Sequence, residues 1–271
     1  MDHPKHILNQ HHIEAKKSLG QNFLFDDSIL ARIAAAAELT PADHVLEIGP
    51  GLGHLTQHLA RQAGRVVAVE LDDRLIPVLR LTFAAMPHVE LVHADILALN
   101  LAHYFADHPY KVVANVPYYI TGGILRHLLT SQPRPTRLVM TVQQEVAERL
   151  TAAPGHMSLL AVSVQLFGKP VVVGQVKAGA FWPRPDVDSA IVCLDLTQTS
   201  QPDVDEAAFF RIVRAGFSQK RKQLKNNLQQ LPLSAAVIAA ALEATHIDGR
   251  RRAETLSVAE WVALARALPM P

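Results

Sequence analysis

Three groups of residues have the types and spacing to hold a ligand. The first is Val45-Leu-Glu-Ile-Gly49-Pro-Gly51-Leu-Gly53, an apolar run that enters a glycine-rich turn and is followed by a helical pattern, His54–Gln62. Glycine lets backbone come close to a ligand, and a helix N-terminus offers unpaired N–H groups. The second is Glu70, 17 residues past Gly53, at the end of the run VVAVE. A carboxylate in that place can accept two hydrogen bonds from ribose hydroxyls. The third is Asp95 in His93-Ala-Asp95-Ile-Leu, which can accept from the exocyclic amine of an adenine. A lone acid at a strand end is more often a helix cap, but three such groups in this order point to a ligand carrying ribose and adenine. A dinucleotide dehydrogenase would place its third glycine at position 54, and His54 stands there.

The spacing G-x-G-x-G after the acidic Glu47 resembles instead the turn of S-adenosylmethionine methyltransferases. Asn115-Val-Pro117-Tyr118-Tyr119 carries more information. It resembles the N/D-P-P-Y/F signature of methyltransferases that act on exocyclic amino nitrogens. The lone pair of an adenine N6 is delocalised into the ring, which makes it a poor nucleophile. The resemblance implies two acceptors for its hydrogens, the Asn115 side-chain oxygen and the Val116 carbonyl. They favour pyramidalisation and hold the nitrogen in line with the sulfonium methyl. Tyr118 would stack on the extruded base. No strong general base is needed, because the amine becomes acidic as it attacks.

The elements that must position these groups follow from hydrophobic pattern. Val45–Ile48, Val66–Glu70, Val89–Val92, Lys111–Ala114 and Leu138–Val142 are short apolar, mostly β-branched runs, and the first four alternate with helical patterns. That alternation predicts a parallel sheet with helices on both faces. Val171–Val176 and Ala190–Leu196 are joined by a Gly/Pro-rich connection too short for a crossover helix, so they should pair antiparallel at the sheet edge. Glu206–Phe217, Lys220–Leu228, Ser234–Ala244 and Val258–Leu268 read as helices. The expected fold is α/β, a Rossmann-like methyltransferase sheet with a small C-terminal all-helical domain. Its divisions are a mobile tail over 1–15, the methyltransferase domain over 16–197, a linker over 198–203, and a helical RNA-binding domain over 204–271.

Composition excludes several classes. In 271 residues, 26 Lys+Arg against 25 Asp+Glu give a net charge of +1, which fits neither a polycationic wrapping protein nor an acidic disordered chain. The single cysteine, Cys193, can form no internal disulfide and no Cys-based zinc site; it reads as a small core residue. His3, His6, His11 and His12 lack partner carboxylates, so no metal is expected. Nothing reads as a signal peptide or a bilayer span, so the expectation is a cytoplasmic protein without membrane contact. The charge is uneven, however. Residues 1–202 carry 16 basic and 18 acidic side chains, whereas 203–271 carry 10 and 7. No carboxylate lies between Ala207 and Leu242, where Arg211, Arg214, Lys220, Arg221, Lys222 and Lys225 fall. This stretch is either a polyanion-binding face or a solvated helix face.

Further motifs stand in order along the chain: Gly20-Gln-Asn22-Phe-Leu24, Gln143-Gln-Glu145-Val-Ala-Glu-Arg149, Phe181-Trp-Pro-Arg-Pro185-Asp-Val-Asp188-Ser189, Phe217-Ser-Gln-Lys-Arg221-Lys222 and Arg252-Ala-Glu-Thr-Leu-Ser257. With the glycine turn and Asn115–Thr121, they identify the chain as similar to the small-subunit (16S) ribosomal RNA adenine dimethyltransferase family, from about Lys16 to Leu268. The resemblance implies S-adenosyl-L-methionine as cofactor, held by Asn22 and Leu24 at its methionine end, by Gly49 and Gly51 in the turn, by Glu70 at the ribose and by Asp95 at the adenine. Asn115 serves cofactor and methyl transfer, Tyr118 and Phe181 grip the target base, and Arg214, Lys220, Arg221, Lys222 and Lys225 meet RNA. The implied reaction is transfer of methyl groups to N6 of two adjacent adenines in an immature small subunit, by a chain that nothing requires to be more than a monomer. The alternatives are a large-subunit methylase of the antibiotic-resistance type and a non-catalytic assembly factor, which would tend to lose the cofactor residues. A DNA adenine methylase lacks the residues here for a target-recognition domain. Trp182, bulkier than many residues at its place in the family, has no account from sequence.

Overall fold

The structure is a computed structural model, described for residues 1–197 and 204–270; the expected linker, 198–203, lies outside the described residues. Nine strands occur among them: β1 (Phe23–Leu24), β2 (His44–Ile48), β3 (Arg65–Glu70), β4 (Val89–His93), β5 (Tyr110–Asn115), β6 (Arg137–Gln143), β7 (Pro170–Val176), β8 (Phe181–Trp182) and β9 (Ser189–Asp195). Seven of them form one sheet in the order β4-β3-β2-β5-β6-β9-β7. The five from β4 to β6 run parallel, and β9 pairs antiparallel with both β6 and β7. The apolar runs and the antiparallel edge pair thus sit where the pattern places them. Val45, Val66, Val67, Val112 and Val113 are buried in the central strands, which are covered on both faces as parallel strands must be.

The chain runs outward from β2 through β3 to β4, then returns to place β5 on the other side of β2. Strand order therefore reverses between β2 and β5. Open α/β sheets bind ligands in the crevice outside the carboxyl ends of strands at such a reversal. The glycine turn leaves β2 at this place, and Asn115 ends β5 beside it.

The chain divides into two compact units, Met1–Ala147 with Pro170–Thr197, and Glu148–Lys169 with the described residues 204–270. Residues 148–169 thus leave the span expected for the first domain. The reason is packing: Ala161, Val162 and Val164 on the helix Leu159–Gln165 are buried, Phe167 meets Phe210, and Gly155 and Met157 donate their N–H groups to the Glu254 carbonyl at 2.9 and 3.1 Å. No change of composition marks this excursion.

Residues 1–15 also differ from the expected tail. Pro4–Gln10 is a helix, with Pro at its first position and Lys5 N donating to the His3 ring at 3.2 Å. Leu8 is buried against Phe23, Leu52, Leu75 and Val78. Trp182 packs against the same cluster, with its ring 6.3 Å from that of His3, which accounts for a large residue there.

Within the second unit, the helices Glu206–Gly216, Leu224–Leu228, Ala235–Ala244 and Val258–Ala267 surround the fully buried Trp261. A Cβ at Gly216 would meet Trp261 Cη2 at 2.3 Å, so only glycine fits. The helix expected from Lys220 begins only at Leu224. Asn227, buried, donates to the carbonyls of Gly216 and Gln219 at 2.6 and 3.1 Å and holds the intervening chain as a turn. Lys220, Arg221 and Lys222 lie on that turn and so belong to no continuous helix face with Arg214 and Lys225. All five expected RNA-contacting side chains are nevertheless exposed.

Candidate active site

A cleft at the carboxyl ends of β2, β3, β4 and β5 holds about 1060 Å³ of space, part of it open solvent. Asn22, Leu24, Gly49, Gly51, Glu70, Asp95, Asn115, Tyr118 and Phe181 all line it. The first unit thus brings together every cofactor and catalytic residue expected from sequence.

The glycine turn has the backbone its composition demands. Gly49, Gly51 and Gly53 have φ of +70°, +59° and +86°, the left-handed region in which a side chain is strained. A Cβ on Gly49 would lie 3.4 Å from the Asn115 carbonyl, and one on Gly51 would meet Phe23 Cδ1 at 3.0 Å. The turn and the end of β5 thus lie beside one another, and at Gly49 it is the positive φ more than lack of space that calls for glycine. Next to them, Glu70 anchors the loop. Its Oε2 accepts from Gly51 N at 3.0 Å, and its Oε1 from Leu71 N and Asp72 N, both at 2.9 Å. Burial raises its pKa against these hydrogen bonds. A carboxylate has about four lone-pair sites, so capacity remains for a ribose hydroxyl. Asp95 is exposed at the rim and also caps a short turn, Oδ1 accepting from Leu97 N at 2.9 Å. Capping and ligand binding are compatible here, because the second oxygen is available.

Asn22 donates to the Gly20 carbonyl at 3.2 Å, and Leu24 pairs with Phe181 through the short ladder of β1 with β8. That ladder joins two motifs more than 150 residues apart in the chain. Phe181 is only 3% exposed, so its ring forms the floor of the cleft. The Tyr118 hydroxyl lies 2.7 Å from Ser189 Oγ, a fully buried residue at the start of β9. Burial raises the Tyr118 pKa and the Ser189 contact offsets part of that rise. The ring is thereby fixed at its far end.

Two parts of the site lie outside the expected ligand set, and of these only Glu47 has a sequence signal, its place before the glycine turn. Asp72, buried, accepts from Gln21 Nε2 at 2.7 Å and from Arg74 Nε and Nη2 at 2.8 and 2.6 Å. Burial pushes this carboxyl up, but the hydrogen bonds outweigh it and hold the pKa at about 2. Arg74 also donates to the Glu14 carbonyl, so this cluster ties the N-terminal segment to the loop after β3. Glu47 is the second. Burial pushes its pKa up to about 8, and neither oxygen closes a hydrogen bond among the described residues, although the Thr56 hydroxyl pulls the value back slightly. Burial thus favours its protonated form.

This set suits a cofactor made of adenine, ribose and an amino acid. Asp95 at the rim and the buried Glu70 offer acceptors for an amine and hydroxyls, and the glycine turn lines the same cleft. Asn115 and Val116 place acceptors at the same cleft.

Comparison with known proteins agrees. The family model described as ribosomal RNA adenine dimethylase matches residues 12–268. The chain is 46% identical over 264 residues to the ribosomal RNA small subunit methyltransferase A of Dehalococcoides mccartyi, covering 96% of this chain and 91% of that one. Among solved structures, a dimethyladenosine transferase from Plasmodium falciparum superposes with a TM-score of 0.78 at 28% identity, over 89% of this chain and 95% of that one. The 23S rRNA methyltransferase ErmE superposes with a TM-score of 0.72 at 32% identity, over 91% and 99%.

Proposed function

This chain belongs to the ribosomal RNA adenine dimethylase family, and from that premise we propose how its cleft performs the reaction. It is an S-adenosyl-L-methionine-dependent methyltransferase that dimethylates N6 of adenines in small-subunit ribosomal RNA. The observation that carries the mechanism is that the glycine turn after β2 and Asn115, Val116 and Tyr118 at the end of β5 line one cleft.

Glu70 and Asp95 hold the ribose and adenine, the glycine turn with Asn22 and Leu24 holds the amino-acid end, and the bound cofactor supplies an electrophilic methyl. The Asn115 side-chain oxygen and the Val116 carbonyl accept the two N6 hydrogens and turn the nitrogen lone pair out of the ring plane. These contacts strengthen as positive charge develops on nitrogen, so they lower the barrier more than they favour binding. Tyr118, held by Ser189, stacks on the extruded adenine, and Phe181 closes the pocket beneath it. The proton leaves to solvent once the nitrogen is alkylated; the monomethylated amine keeps one hydrogen, so one of the two acceptors holds it for the second transfer.

The substrate is two adjacent adenines in an immature small subunit, met by a basic surface formed by Arg214, Lys220, Arg221, Lys222 and Lys225. A single copy holds every residue assigned to the chemistry, which supports a monomer. Action on ribosomal RNA supports a cytoplasmic location; no helix among the described residues is long and apolar enough to cross a membrane. The likeness to ErmE, at 32% identity, raises large-subunit RNA as a second substrate, whereas the relative at 46% identity over 96% of this chain is named for the small subunit. Incubation with labelled cofactor and undermethylated small subunits, large subunits and DNA tests the assignment. Label should appear in small-subunit RNA as N6,N6-dimethyladenosine; label in large-subunit RNA or DNA instead would overturn it.

A further inference from the structure

Tyr119 is a second aromatic ring at the same cleft, and nothing in the mechanism uses it. It is 65% exposed, the most exposed aromatic side chain among the large hydrophobic residues described, yet it lines the cleft mouth. It is also placed. A Cβ at Gly20 would meet Tyr119 Cε1 at 3.2 Å, Cδ1 at 3.4 Å and Pro117 Cβ at 3.0 Å, so one ring edge rests on the Gly20 backbone. Gly20 itself has φ +59°. The left-handed Gly20, which also packs beside Pro117, leaves room for one edge of this ring, while most of the ring faces solvent. Tyr118 and Tyr119 open a 3₁₀ turn, Tyr118–Ile120. Consecutive residues of such a turn project about 120° apart. One ring therefore turns inward to Ser189 and the other outward at the entrance.

We propose that Tyr119 is a stacking platform for the nucleobase adjacent to the adenine being methylated. Extruding one base strips its neighbour of a stacking partner. On the reading of the substrate as two adjacent adenines, on which this inference rests, that neighbour is a purine with a large π-face. An exposed, pre-placed phenol at the entrance replaces the lost partner at little entropic cost. The ring then selects substrates in which the target lies beside another purine, and keeps the second adenine at the cleft for its own turn.

The test crosses the ring with the base. Small subunits are reconstituted with RNA in which one or the other adenine of the pair is replaced by an abasic nucleotide, leaving a single target with its 5′ or its 3′ neighbour removed. Wild type, Tyr119→Ala and Tyr119→Phe are compared by KM and kcat, with cofactor affinity measured by calorimetry. Base–aromatic stacking corresponds to about five- to a hundred-fold in affinity. For at least one of the two RNAs, removing the base should raise the wild-type KM by about that factor. Tyr119→Ala should raise it equally on intact RNA, and the two losses should not compound when combined. Tyr119→Phe should behave as wild type. Losses that multiply on both abasic RNAs, or a Tyr119→Ala defect explained by weaker cofactor binding, overturn the proposal. Failure of wild type to methylate intact small subunits would be a different result, since it removes the substrate reading itself.

Discussion

The cleft and the basic segment of the helical unit are built on opposite plans. In the cleft three key side chains are each held by others: Glu70 by three backbone N–H groups, Asp72 by Gln21 and Arg74, Tyr118 by Ser189. In the basic segment Lys220, Arg221 and Lys222 stand on an exposed turn, and the buried Asn227 fixes the backbone while the cationic ends face water. Methyl transfer depends on where atoms lie, and a misplacement of an ångström costs orders of magnitude. Attraction to phosphate depends on charge and tolerates loose placement. Substitutions should therefore act singly and steeply in the first region, and jointly and gradually in the second.

The largest expected effect is at Asn115. Asn115→Ala should lower kcat by about 100-fold or more with little change in the KM for RNA, since the lost acceptor acts mainly in the transition state. Steady-state kinetics on undermethylated small subunits reads both. Next is Glu70→Ala, which should weaken cofactor binding by about 1–3 kcal/mol in calorimetry. It should also lower the melting temperature, because three backbone donors lose their acceptor; unchanged affinity would remove Glu70 from the ligand site. In the helical unit, replacing Lys220, Arg221 and Lys222 by Ala should spare cofactor affinity. It should flatten the slope of log K against log salt for RNA by about 2 units, at roughly 0.7 per single-strand phosphate contact. A solvated turn without RNA contact predicts identical slopes.

Two smaller effects sharpen the first region. Glu47 keeps its proton up to about pH 8 in the folded state but loses it near 4.5 when unfolded. Between those values the native state binds more protons, so stability should fall as pH rises, by at most about 1.4 kcal/mol per pH unit. Glu47→Gln should remove that slope in denaturant titrations from pH 5 to 8. Ser189→Ala and Tyr118→Phe should each raise the KM for RNA by about fivefold, as expected for one hydrogen bond. The double variant should be no worse than either alone if the only function of the bond is to hold the ring.

The same contrast governs what the sequence discloses. The glycine turn, Glu70, Asp95 and Asn115 were legible because each needs a residue type at a strand end, and strand ends follow from apolar runs. The strand order puts those ends side by side at the reversal between β2 and β5. The Asp72–Gln21–Arg74 cluster was not legible, since its members meet only after the N-terminal segment folds over the loop following β3. The helix Pro4–Gln10 is not legible for a similar reason: its polar composition suggests a tail, and burial of Leu8 against Leu52 and Leu75 orders it. Lys220–Lys222 looked helical by continuity with Leu224–Leu228. The buried amide of Asn227, a tertiary contact that no local pattern encodes, makes the turn.

Single-turnover methylation at saturating small subunits separates placement from attraction most directly. With saturating cofactor and rising RNA concentration, the Lys220/Arg221/Lys222→Ala variant should reach the wild-type plateau rate at every salt concentration, at higher RNA concentration. Asn115→Ala should bind RNA with wild-type midpoint and plateau about 100-fold or more lower. A triple variant whose plateau falls with that of Asn115→Ala, or an Asn115→Ala enzyme that regains the wild-type plateau at high RNA, would contradict the division of labour between the two regions.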